Sequence, residues 1–320
     1  MPEVITFGES MLRLSVEDGN ALERASSLRL EVAGSESNVA IGLSRMGIST
    51  GWISRLVDNP LGRRIVYDIQ ANGVDVSRVL WAAEGRVGTY YLEPGRAPRA
   101  ARVIYDRTNS AITGIDPTEV DWAYAQQARL IHLTGITPAL GSACRSLVEQ
   151  AIKRAREAGQ LISFDVNYRG KLWSPTAAKT CLDTLLPGLN IVLCSRRDAA
   201  QVFGITAETA SGVAQGLVER YEVSLAVVTD GERGAAAYDG APYQQPAFPS
   251  QIIDRIGAGD AFAVGFLTGY LEDGTAKGLA YGTALAALKL TYYGDISWSR
   301  RADVEALIAQ GSSDAGQVMR

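Results

Sequence analysis

Histidine occurs once in this chain, at His132, and cysteine three times, at Cys144, Cys181 and Cys194. A single histidine disfavours a histidine-built metal centre and a serine–histidine triad. His132 itself lies in Arg129-Leu130-Ile131-His132-Leu133, which reads as a strand, so it is expected in the core or at a strand end. Three scattered cysteines give neither a disulfide framework nor a zinc spacing. There is no basic excess: 31 Lys and Arg stand against 35 Asp and Glu, net −4, so neither nucleic acid nor an acidic membrane is an expected partner. Long apolar runs are also lacking. The best of them, residues 261–271, stops at Glu272 and Asp273, far short of a bilayer. The start, Met1-Pro2-Glu3-Val4, has no basic signal-peptide character, which makes the cytoplasm the expected compartment. No Gly-x-x-x-x-Gly-Lys-Ser/Thr occurs, and no Gly-x-Gly-x-x-Gly follows the first strand, which disfavours a P-loop enzyme and a dinucleotide oxidoreductase. Internal repeats and low-complexity stretches are absent too.

What is present is an ordinary globular composition, 47% hydrophobic and 21% charged over 320 residues, enough for one large core or a core with a small appendage. From residue 121 onward the pattern is regular. Expected strands at 130–133, 161–166, 190–194 and 225–229 alternate with helical segments such as 142–158 and 177–186, the signature of a parallel sheet covered on both faces. Residues 3–8 and 50–55 read as further strands. A glycine turn at 34–38 leads into a helix ending at Gly47, and the turn 58–62 starts a helix over 63–71, stopped by Asn72-Gly73. Segments 11–16, 28–32, 87–92 and 102–107 are different. They alternate apolar with polar residues, or are polar on one side, and suggest a small separate sheet. Two or three helices are expected late in the chain, ending near Ile308, with a loose glycine- and serine-rich tail at 311–320.

The chemistry converges on Ile253-Asp254-Arg255-Ile256-Gly257-Ala258-Gly259-Asp260-Ala261-Phe262. This reads as a tight glycine turn feeding the N-terminus of a buried helix. Amides there point outward unpaired and attract a phosphate or a developing anion, and Gly257 and Gly259 let the backbone approach closely. A carboxylate in the first turn repels an anion, so Asp260 makes more sense as the base that takes a proton from an attacking hydroxyl. An ordinary helix start, with Asp260 near the cap, would explain the four letters Gly-Ala-Gly-Asp as well.

The longer string resembles the second signature of the ribokinase-like (PfkB) carbohydrate kinases, with Arg255 where threonine is usual, a variant similar to that of the family's sugar-acid kinases. The resemblance implies a ribokinase-like three-layer α/β sandwich around a mostly parallel sheet. It forms one domain over residues 1–310, with lid strands inserted from about 10–33 and 87–107. It also makes Gly34-Ser35-Glu36-Ser37-Asn38 similar to the family's first signature, with Gly34 and Asn38 as substrate contacts. Asp165-Val166-Asn167-Tyr168-Arg169-Gly170-Lys171-Leu172-Trp173 resembles the segment found in kinases of 2-keto-3-deoxygluconate, so that Arg169 contacts the sugar acid or transferring phosphate and Asn167 lies near the nucleotide. Arg169 paired to a neighbouring acid is an equal reading of the residues alone.

By the same resemblance Thr229, Gly231 and Gly234 line the nucleotide, although Thr229-Asp230-Gly231 also reads as a plain hairpin turn. Ser195-Arg196-Arg197-Asp198 stands where the family often has Asn-x-x-Glu tied to magnesium. Both letters differ here, and Ser195 as a helix cap explains the string as well. Tyr105 and Arg107 share a strand face. The resemblance makes them, with Tyr90 and Asp295, readers of the substrate. It implies ATP and Mg2+ as cofactors, with a monovalent cation such as K+ as a further candidate. The expected activity is phosphorylation of the terminal (6-) hydroxyl of 2-keto-3-deoxygluconate, with Asp260, Arg169 and the Gly257-Ala258-Gly259 backbone catalytic, in a homo-oligomer. The rivals are a kinase of a neutral sugar such as fructose or ribose, and a sugar-sensing protein without turnover.

Overall fold

The computed structural model describes residues 1–95 and 98–311. Of the tail expected at 311–320 only Gly311 lies within them, and the connection expected at 94–99 falls partly outside. The described strands are β1 (Val4–Phe7), β2 (Met11–Ser15), β3 (Arg29–Ala33), β4 (Thr50–Ile53), β5 (Arg55–Val57), β6 (Leu80–Ala82), β7 (Thr89–Glu93), β8 (Arg102–Asp106), β9 (Leu130–Thr134), β10 (Leu161–Asp165), β11 (Ile191–Ser195), β12 (Leu225–Thr229), β13 (Ala235–Tyr238) and β14 (Pro242–Gln245).

Among the described residues, eight strands form the main sheet in the order β14-β13-β12-β11-β10-β9-β1-β4. From β12 to β4 every pairing is parallel, and β13 and β14 fold back antiparallel at one edge. The central strands are mostly apolar because both faces are covered. Helices Ser142–Glu157, Pro175–Leu185 and Ala210–Tyr221 supply Leu147, Leu182 and Leu217 to the core on one face. Helix Ser35–Arg45 and the long segment Ala258–Lys289 supply Val39, Leu43, Phe262 and Phe266 to the other. The result is a three-layer α/β sandwich. Helix starts follow local chemistry: Asn59 accepts from the Leu61 and Gly62 amides at 3.0 Å to open Pro60–Ala71. The long segment departs from helical geometry at Asp273 and Gly274, so it is two helices, and Arg301–Gln310 follows.

A second sheet, ordered β3-β2-β7-β8, lies apart from the first; β2 and β7 run parallel and the other two pairs antiparallel. The alternation predicted a half-exposed β2, yet that strand is almost wholly buried. Leu12 joins a cluster around Ile41 and Trp52, while Met11 on the opposite face packs near Ile256, and Arg13 is enclosed by acids. Its neighbour β8, by contrast, is largely open to solvent. Strand β6, paired parallel to β5, was not among the expected elements because three residues with an exposed tryptophan give no period to read. His132 is fully buried on β9, where desolvation pushes its pKa down to about 3, and all three cysteines are buried and free. No helix among the described residues is long and apolar enough to cross a membrane.

Candidate active site

In a parallel sheet ligands settle beyond the carboxyl ends of the strands. There the chain forms a cavity of about 920 Å³, floored by Asp165, Ser195 and Thr229 at the ends of β10, β11 and β12 and covered by Met11, Tyr90 and Tyr105 of the small sheet. Gly34, Asn38, Arg107, Asn167, Arg169, Asp198, Gly257, Gly259, Asp260 and Asp295 also face it. Ala258, Gly231 and Gly234 do not.

The glycine turn is shaped by contact as well as by conformation. Gly257 holds φ at 82°, and a Cβ there would lie 1.9 Å from the Asp295 carbonyl oxygen, so no other residue fits. A Cβ on Gly259 would meet open space, leaving room for a group drawn to the amides. No side chain caps the helix that begins at Ala258. Asp260, in its first turn, is buried; its Oδ1 accepts from Ser35 Oγ at 2.7 Å and its Oδ2 from Asn38 Nδ2 at 2.8 Å. Burial raises the Asp260 pKa, while Asn38, Ser35 and nearby Arg169 pull it back. Gly34 is required by proximity, since a Cβ there would sit 2.2 Å from the Glu9 carbonyl.

Asn167 follows β10 with φ at 39°, a left-handed value that asparagine tolerates. Its amide N–H is taken by Asp165 Oδ1 at 3.1 Å, and its Nδ2 reaches Ser35 Oγ at 2.9 Å. A chain thus runs from Asn167 through Ser35 to Asp260. Asp165, which sequence reasoning gave no role, carries a pKa pushed up to about 8 by desolvation and by the Asp260 charge. Arg169 is exposed into the cavity and, among the described residues, its guanidinium makes no hydrogen bond or ion pair, only a through-space attraction to Asp165 and Asp260. A guanidinium left without a partner beside the turn is suited to forked phosphate contacts. Glu36 is the other missed acid. It is buried, accepts from Thr134 and Thr137 at 2.7 and 2.6 Å, and has its pKa pushed up to about 7 by desolvation.

On the cover side, Tyr90 is buried and donates its hydroxyl to Asp295 Oδ2 at 2.7 Å. Asp295 also binds Arg13, which reaches Asp254 at 3.0 Å and Glu31 at 3.3 Å. Tyr90 and Asp295 are therefore partners of each other, part of an ionic cluster joining the small sheet to the turn. Arg107 pairs with the buried carboxylate of Glu9, which also accepts from Ser110, yet its Nε is buried without a partner. The rest of the guanidinium, at the cavity wall, is left for a ligand. Lys171 crosses from the main domain to the small sheet, donating to the Val103 carbonyl at 2.6 Å. Glu9, Arg13 and Lys171 are absent from the sequence-based candidates because no spacing ties them to the motifs they meet in space.

At the opposite end Ser195 Oγ accepts from the Asp198 amide at 3.0 Å, the capping role that its position suggested, and the Asp198 carboxylate is buried. Gly231 and Gly234 turn the β12–β13 hairpin, where a Cβ on Gly234 would strike the Gln245 carbonyl at 2.1 Å. Among the described residues no group of three or more His, Cys, Asp or Glu could hold a metal. The acids facing this cavity suit magnesium, which takes one or two carboxylates together with phosphate oxygens and water. Asp198 and Asp165 are the carboxylates placed to do so.

A buried carboxylate at the head of an uncapped helix, under a small covering sheet, suits a phosphotransferase site of the sugar-kinase class. The match to the pfkB family carbohydrate kinases covers residues 1–301, and the chain belongs to that family. Within it the chain is similar to a 2-dehydro-3-deoxygalactonokinase from Haloferax volcanii, 40% identical over 98% of each chain. It is also similar to the solved 2-dehydro-3-deoxygluconokinase of Thermotoga maritima, with a TM-score of 0.91 and 30% identity over 96% of this chain and 98% of that one. The same fold is found in a candidate ribokinase II from E. coli in complex with ATP and Mg2+, TM-score 0.86 at 21% identity over 97% of this chain and 99% of that one.

Proposed function

We propose that this sugar kinase transfers the γ-phosphoryl group of ATP to the terminal (6-) hydroxyl of 2-keto-3-deoxygluconate. The observation that carries the reading is Asp260, buried, oriented by Ser35 and Asn38, and one residue past an open glycine turn. Asp260 takes the proton of the sugar hydroxyl as its oxygen bonds to phosphorus and the bond to the leaving ADP oxygen breaks. The amides of residues 257–260 and the Arg169 guanidinium receive the charge on the transferring group. Magnesium, when bound, neutralises triphosphate charge, with Asp198 and Asp165 as its candidate ligands. Asn167, Ser195 and Thr229 form the nucleotide side, and Gly231 and Gly234, outside the cavity wall, turn the hairpin that leaves Thr229. Gly34, Asn38, Tyr90, Tyr105, Arg107 and Asp295 form the sugar side, and the Arg107 guanidinium at the cavity wall is the donor that favours an acid over a neutral sugar.

The 40% identity to a 2-dehydro-3-deoxygalactonokinase supports a second substrate, the C4 epimer. The two acids share the keto-acid end that Arg107 would read and differ at one hydroxyl. ADP release from ATP and Mg2+ with both epimers, fructose and ribose tests all of this. Turnover of either 2-keto-3-deoxy acid in large excess over the neutral sugars is expected. Preference for fructose or ribose would overturn the acid reading, and binding of the acid without ADP release would leave a sensor.

A further inference from the structure

Beneath the glycine turn, outside the cavity lining, the ammonium of Lys289 is fully buried. Its Nζ donates to the backbone carbonyls of Asp254 at 2.9 Å and Tyr292 at 3.4 Å. Among the described residues no carboxylate oxygen lies within ion-pair distance of it. A group held only by main-chain carbonyls, opposed by burial and by Arg13 but in the field of Asp254, Asp295 and Asp260, has the surroundings that a bare monovalent cation would take. The surroundings concern the turn directly. The Ile253 and Asp254 amides both donate to the Leu290 carbonyl, at 2.7 and 3.2 Å. Asp254 Oδ2 accepts from Gly294 N–H at 3.2 Å, and Oδ1 from Ile256 N–H at 3.0 Å. The loop 290–296 then presses the Asp295 carbonyl against Gly257. Lys289 sits where the segment entering the turn and the loop supporting it meet.

We propose that the Lys289 ammonium is a built-in monovalent cation, which clamps the loop 290–296 to Asp254 and so positions the amides of residues 257–260, making a free potassium ion unnecessary. The expected K+ therefore does not fit at this place, because a side chain already occupies it. Lys289 is a positioning residue, and its effect on turnover rests on the proposed role of those amides in phosphoryl transfer.

The test compares wild type, Lys289→Ala and Lys289→Met in potassium-free buffer and in saturating KCl or NH4Cl. Wild type is expected to show the same kcat in every buffer. Lys289→Ala, which leaves a carbonyl-lined hole, should lose about 10- to 100-fold in kcat, as a misplaced catalytic turn does, and regain most of it with K+ or NH4+. Lys289→Met fills the hole without charge and should stay impaired whatever the salt. Thermal melting is the independent readout: K+ should stabilise Lys289→Ala and leave wild type and Lys289→Met unmoved relative to a choline control. A wild type that requires K+ for turnover or is specifically stabilised by it overturns the proposal, and this arm needs no variant to fold. Near-normal kcat in Lys289→Met, or a folded Lys289→Ala that no cation rescues, overturns it as well. Should wild type turn over no sugar acid, the reading of the amides fails, while the melting comparison still decides whether Lys289 replaces a cation.

Discussion

The place of Asp260 was legible from its neighbours in the chain, because two glycines before an acid and an apolar run describe a tight turn opening a buried helix. Its partners were not. Ser35 lies 225 positions away and Asn167 joins through it, so the arrangement exists only once the sheet brings three loops to one end. Asp260→Asn keeps the shape, leaves one acceptor oxygen for Ser35 and Asn38 in place of two, and removes the proton acceptor. Turnover is expected to fall by roughly 10²–10⁴-fold with ATP affinity, read by calorimetry, close to normal; undiminished turnover would take Asp260 out of the mechanism. Arg107 carries a different lesson. Strand period put it beside Tyr105, but no pattern announced Glu9, whose carboxylate already claims part of the guanidinium. Removing Arg107 leaves Glu9 buried and negative, facing the substrate acid. Losing one member of such a pair costs about 2–5 kcal/mol, so Arg107→Ala should lower kcat/KM for 2-keto-3-deoxygluconate far more than for fructose. Equal losses for both sugars would make Arg107 a structural residue.

Among elements, the parallel strands were readable because burial on both faces leaves continuous apolar runs, as in Ile191–Ser195. The small sheet was readable as something separate but not in its burial. β2 is sealed by ion pairing of Arg13, a long-range event that alternation of apolar and polar letters cannot encode. The covering sheet touches the main domain through few polar links, among them Lys171 to Val103 and the Arg13 cluster. Such a cover is expected to move. Hydrogen exchange in residues 10–33 and 87–107 should slow on saturation with the sugar acid, most of all in β8, which is exposed. Unchanged protection under demonstrated saturation would make the cover a fixed wall.

For the whole molecule, the buried acids link pH to stability. Glu36 binds its proton more tightly folded, at about 7, than its ordinary 4.5, so stability is full below pH 4.5 and falls as pH rises toward 7. Glu36→Gln keeps an acceptor for Thr134 and Thr137 and cannot ionise. Its stability relative to wild type should therefore improve between pH 5 and pH 8, on the order of 1–3 kcal/mol, measured by urea unfolding at both values. Parallel pH dependence in the two proteins would show that Glu36 is not the group responsible. One further consequence follows from Arg13. A single guanidinium belongs at once to the cover and to the floor, holding Glu31 on one side and Asp254 and Asp295 on the other. Tilting the cover away strips two floor carboxylates of a counter-charge and slackens the cradle they brace. An open molecule holding nucleotide is accordingly expected to hydrolyse ATP slowly until the sugar brings cover and turn together, and ADP release without sugar measures it.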